Sequence, residues 1–154
     1  MRLDLTSVMI LLGLQMLAFS WRVAREIDGN ESHPFLWVPL PDNVNVAAML
    51  AVLYFCIIAP FTTTGIRLYS VGVLGRASFA AATVLIAAHP LIVASHYRLW
   101  RGVRRGAPAE ESEKLPYCTR QEAVVQVVAL VAAVVVFVWV LQAANGAAAV
   151  VQPR

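Results

Sequence analysis

Between Ala123 and Ala144 the chain runs for about twenty-two residues without a charge, most of them valine or alanine. No other feature restricts the fold so strongly. A helix rising 1.5 Å per residue needs about twenty such residues to cross the hydrocarbon of a bilayer. Valine disfavours helix in water, but in lipid each backbone N–H and C=O must be bonded inside the segment, so helix is the expected state. A β-barrel strand would alternate polar and apolar residues, and this run does not.

Three further apolar windows repeat the pattern. The fold expected is therefore all-α: an integral membrane bundle of four transmembrane helices, at about 5–22, 45–67, 76–98 and 121–144. The composition agrees, being 60% hydrophobic and 14% charged, against roughly half and a quarter in soluble domains. One domain over residues 1–154 follows, since no stretch outside the windows is long enough to fold by itself.

The first window also has features of a signal peptide: Arg2 before a short apolar region, and the small-x-small triplet Ala18-Phe19-Ser20. Asp4 ahead of it and Arg22 and Arg25 just behind it favour a retained helix. Residues 26–44 read as an interfacial loop. Acidic Glu26, Asp28 and Glu31 give way to a segment with Pro34, Pro39 and Pro41, which cannot continue a helix, and Trp37 suits the headgroup level. Asp42 or Asn43 is placed to cap the second helix.

In the second window Pro60 cannot donate to the carbonyl of Cys56, so a kink or local widening is expected, with the hydroxyls of Thr62, Thr63 and Thr64 at hand for freed carbonyls. Arg67 and Tyr69 mark the membrane surface, and a short connection through Gly75 makes the second and third helices antiparallel neighbours. The third window carries Ala77, Ala81, Ala88 and Ser95 on one stripe, a candidate packing face because small residues let helix backbones approach in lipid. Beyond it Arg98, Arg101, Arg104 and Arg105, with Trp100, form a basic patch that reads as a helix end snorkelling to the headgroups. The polar linker 102–119 follows. Thr119 and Glu122 make a capping box, so the fourth helix starts near Arg120, and Asn145-Gly146 is a natural stop.

Basic residues also suggest sidedness. Arg22, Arg25, Arg98, Arg101, Arg104, Arg105, Lys114 and Arg120 share the side of the first and third loops; Arg2, Arg67, Arg76 and Arg154 share the other. Eight against four places both termini outside the cell membrane, with loops 23–44 and 99–120 in the cytoplasm.

Intramembrane polar groups are the first place to look for chemistry, because lipid offers them no water. Gln15 lies near the middle of the first window and is suited to bridging helices. His89, before Pro90, and His96 lie seven residues apart on one helix face, a weak candidate pair for haem or metal; the third histidine, His33, is in the first loop. Gln15, Pro60, Thr62, Thr63, Thr64 and His89 together offer either a polar path or helix-packing contacts. No Asp, Glu, Lys or Arg stands near the centre of a window, which counts against an ion-coupled carrier. GxSxG, HExxH, Walker, dinucleotide and CxxC motifs are all missing from the sequence, so no catalytic residue is assigned and an enzyme is not expected. Cys56, in a window, and Cys118, in a polar linker, are not expected to pair. The basic excess is small and lacks interleaved aromatics, which argues against nucleic acid.

The function these residues suggest is a small accessory, assembly or interaction subunit of a membrane complex. Its partners would be the lipid bilayer and either further copies of itself or a larger membrane protein. A small channel or solute transporter is the alternative, and a haem-binding electron carrier the third; otherwise no cofactor is expected.

Overall fold

The computed structural model describes residues 3–29, 40–64, 69–96 and 120–150, and every element among them is helical. Helix α1 covers Leu5–Gly29. Helix α2, Leu40–Val52, runs into a π-helical segment, Leu53–Ile58, and then into α3, Ala59–Thr64. Helix α4 is Val73–His96 and α5 is Arg120–Val150. Four stretches are long and apolar enough to span a membrane: Leu5–Ala24, Asn43–Thr63, Val73–Ser95 and Ala123–Ala144. The fourfold all-α bundle expected from the windows is the fold observed.

Several boundaries differ from expectation. Helix α1 continues to Gly29 and α2 begins at Leu40, so the loop expected over 26–44 gives up residues at both ends to helix. Pro41 lies in the first turn of α2, where a missing N–H is harmless because that group has no intrahelical acceptor. Asp42 and Asn43 are therefore inside the helix and not at its cap. Gly75 belongs to α4 and not to the connection before it. Helix α5 runs through Asn145-Gly146 to Val150, because the alanines that follow are strong helix formers and outweigh one glycine. Trp37, His33, Thr119, Cys118 and the basic residues Arg98, Arg101, Arg104 and Arg105 lie outside the described residues.

Helix α4 is the centre of the bundle. It packs against α1, α2, the π segment and, most extensively, α5, while α1 also packs on α2. The core gathers Val8 and Leu11 of α1, Val52 of α2, Cys56 of the π segment, and Val71 and Ala82 beside and within α4. Helix α5 meets α4 through Ala129 and Ala133, which are 5% and 3% exposed. Along the small-residue stripe of α4, Ala77 and Ser95 are buried and Ala81 and Ala88 half-buried; Ser78 and Ala82 are buried as well. Most of each helix surface faces outward and is apolar. In water that would be a liability, whereas hydrocarbon solvates these side chains as well as a protein core does.

The widening expected at Pro60 is present as the π segment just before it, where the Ala59 amide donates to the carbonyl of Tyr54, five residues back. The carbonyl that Pro60 leaves open, that of Cys56, does not go to a threonine. Thr62 donates to the carbonyls of Ile58 and Ala59 (3.0 Å each) and Thr63 to that of Ala59 (2.8 Å). Cys56 instead accepts from the phenol of Tyr69, Oη to O 2.6 Å, and its own thiol donates to the carbonyl of Gly75 at 3.2 Å. Gly75 has to be glycine here: a Cβ would stand 2.7 Å from the carbonyl oxygen of Phe55 and closer still to the Val71 side chain. The start of α4 thus crosses the widened turn backbone to backbone.

A candidate intramembrane polar site

Each of the four spans contributes one neutral polar side chain to the same part of the bundle. Gln15 of α1 is 1% exposed and its Nε2 donates to Oδ1 of Asn45 on α2 at 3.5 Å, a long hydrogen bond. Asn45, His89 of α4 and Gln126 of α5 line one pocket, together with Val44, Leu85, Ile92, Val127, Ala129 and Leu130. The pocket is about 80 Å³, open to the outside, and is bounded by α2, α4 and α5. No lining residue is charged.

Asn45 is the third residue of its span, Gln126 the fourth, and His89 the seventh from the end of its own. At 1.5 Å per residue these residues stand about 3–9 Å in from the ends of their apolar spans. Buried Arg22, two turns beyond Gln15 on α1, lies within electrostatic reach of His89. Two buried polar atoms at this level have no hydrogen bond, Oε1 of Gln15 and Nε2 of His89. Such atoms are expensive in a low-dielectric interior. Their occurrence beside a pocket marks this level as the place where the bundle forgoes stability.

The residues that sequence reading grouped as a path separate into two ends. Gln15 and His89 are brought to the level of Asn45. Thr62 and Thr63 lie at the opposite end of the second span, seventeen residues or about 25 Å from Asn45, and bond back to their own helix; Pro60 is buried. The side chain of Thr64 is outside the described set, as is that of His96, the last residue of α4. The described residues contain no cluster of three or more His, Cys, Asp or Glu that could hold a metal. Cys56 is a buried free thiol.

Two pocket residues escaped sequence reading. Asn45, at the very start of the second window, and Gln126, inside a run noted for its lack of charge, are not singled out by the sequence reading. The available signal was positional: both are neutral polar residues a few places inside apolar windows that start from the same side of the membrane, and four spans bring such positions to one level.

Fold and site together define a small multi-pass helical membrane protein with a neutral polar pocket near one membrane face. Compared with protein-family models, with curated proteins and with solved structures, the chain matches none.

Proposed function

We propose that the chain is a non-catalytic subunit that assembles in a cell membrane through the outer face of α5, helix against helix. One observation carries this. Val124, Val127, Val131, Val134 and Val138 follow one another at spacings of three and four, and all are 42–62% exposed. At 100° per residue they fall in an arc of about 80° on the side of α5 opposite Ala129 and Ala133, the residues that meet α4. A 3-4 repeat is the pattern by which two helices pack at a shallow left-handed crossing. Valine suits it because its χ1 is already restricted, so ordering the ridge costs little entropy. The ridge is matched either by a second copy or by an apolar helix of a larger membrane protein. The basic excess around loops 23–44 and 99–120 supports a cytoplasmic placement of that side, and with it of the pocket.

The test is a cysteine introduced at Val131 in a Cys118→Ser background, which leaves only the buried Cys56 besides it, oxidised in native membranes. A disulfide-linked dimer, or a cross-link to one co-purifying membrane protein, is expected, with none from Leu17→Cys on the outward face of α1. A chain that stays monomeric in mild detergent and forms neither link refutes the proposal.

A further inference from the structure

The pocket between α2, α4 and α5 borders the valine ridge, sharing Val127 with it, but its polar groups Asn45, His89 and Gln126 lie off the ridge, and the inference does not rest on the assembly reading. We infer that the pocket is a binding site for a neutral, lipid-soluble molecule with a flat ring bearing carbonyl or hydroxyl oxygens, a quinone-type head group.

Four observations lead there. The lining is neutral, so a charged ligand would enter without a counter-charge at a depth where that is prohibitive. The polar groups come from three helices, Asn45 from α2, His89 from α4 and Gln126 from α5. Three such groups around one pocket suit a head bearing more than one oxygen better than a single hydroxyl. Asn45 already has its carbonyl turned to the Gln15 amide, so what it offers a ligand is its NH2, a donor. His89 lines the pocket, and its Nε2 is buried without a hydrogen bond.

Size and depth agree. About 80 Å³ with an open side receives one edge of a ring while the rest lies in the mouth. The mouth stands a few ångströms in from the ends of the apolar spans, the depth at which the polar head of a membrane-dissolved molecule resides while its tail extends along the lipid. The remaining lining, Val44, Leu85, Ile92, Val127 and Leu130 among it, is aliphatic and suits the faces of such a ring.

The experiment uses the full chain in phosphatidylcholine nanodiscs with two photoreactive probes of equal tail length, one with a benzoquinone head and one a plain primary alcohol. Saturable labelling by the quinone probe is expected on peptides containing Asn45, His89 or Gln126, displaced by unlabelled short-chain quinone. His89→Leu should weaken it about tenfold, the loss of one good hydrogen bond, and His89→Gln should weaken it less. Leu130→Trp, at a 42% exposed position on the rim, should block it without touching the core and serves if His89→Leu fails to fold. Equal saturable labelling by the alcohol probe overturns the ring assignment. Labelling that is unsaturable, spread over all helices, or unchanged in both His89→Leu and Leu130→Trp overturns the site.

Discussion

At the scale of single residues, Asp4 and Tyr69 show how polar groups at the membrane edges are bound to backbone. Asp4 precedes the first turn of α1 and its Oδ1 accepts from the Ser7 amide at 2.8 Å, an N-cap. The Ser7 side chain and amide hold the Asp4 carboxyl below its ordinary value of 3.8. Because the folded value is the lower one, the cap is complete at neutral pH and is lost as pH falls below that ordinary value and through the folded one. Amide exchange of Ser7 should therefore quicken in acid in the native chain. In Asp4→Asn, which keeps an acceptor but has nothing to titrate, it should follow the ordinary pH dependence of exchange alone. Tyr69 has the larger structural effect, since its phenol satisfies the carbonyl exposed by Pro60. Burial, then the neighbouring Cys56 and Asp4, push its pKa above the usual tyrosine value, so the donor proton stays in place through the physiological range. Tyr69→Phe leaves a partly buried acceptor unmet and should destabilise the bundle by about 1–3 kcal/mol, read as a lower thermal midpoint in detergent.

At the scale of elements, the second span is the instructive one. Pro60, the π segment, Cys56 and Gly75 form one mechanical unit: the proline removes a donor, the turn before it widens, and the widened backbone is covered by the glycine at the start of α4. A proline in lipid is tolerable only when a neighbouring element supplies what it takes away. Gly75→Ala tests the crossing. Its Cβ would meet the Phe55 carbonyl at 2.7 Å, backbone that has no room to yield, so α4 must shift. A loss of about 1–3 kcal/mol is expected, as for overpacked cores, together with loss of protection of the Cys56 thiol toward maleimide. A conservative Gly72→Ala, which meets nothing within 4 Å, should leave both unchanged.

At the scale of the whole molecule, α4 holds the other helices together while α5 is held by α4 alone over most of its length, with only 11% of its span buried against 22% for each of the others. The bundle is thus asymmetric, with the mostly exposed helix carrying the regular valine ridge. The proposed sidedness makes a direct prediction. In a Cys118→Ser background, a cysteine at Ser70, exposed before α4, should react with an impermeant maleimide in intact cells, and one at Ser112 only after permeabilisation. The reverse pattern would invert the bundle and move the pocket to the outer face.

The number, type and approximate place of the four helices were legible in the amino-acid order, because hydrocarbon leaves the backbone one way to satisfy itself and apolar length is therefore a direct readout. The disturbance at Pro60 was legible for a similar reason, as a missing N–H is a local fact. Which group would cure it was not: Tyr69 is thirteen residues from Cys56, and only the turn into α4 brings its phenol there. The ends of α1, α2 and α5 were misjudged where local breakers such as Pro41 and Gly146 met helices long enough to absorb them. The pocket belongs wholly to tertiary structure. Asn45, His89 and Gln126 are unremarkable along the chain, and they become a site because three helices cross the membrane in alternating directions and end at one level.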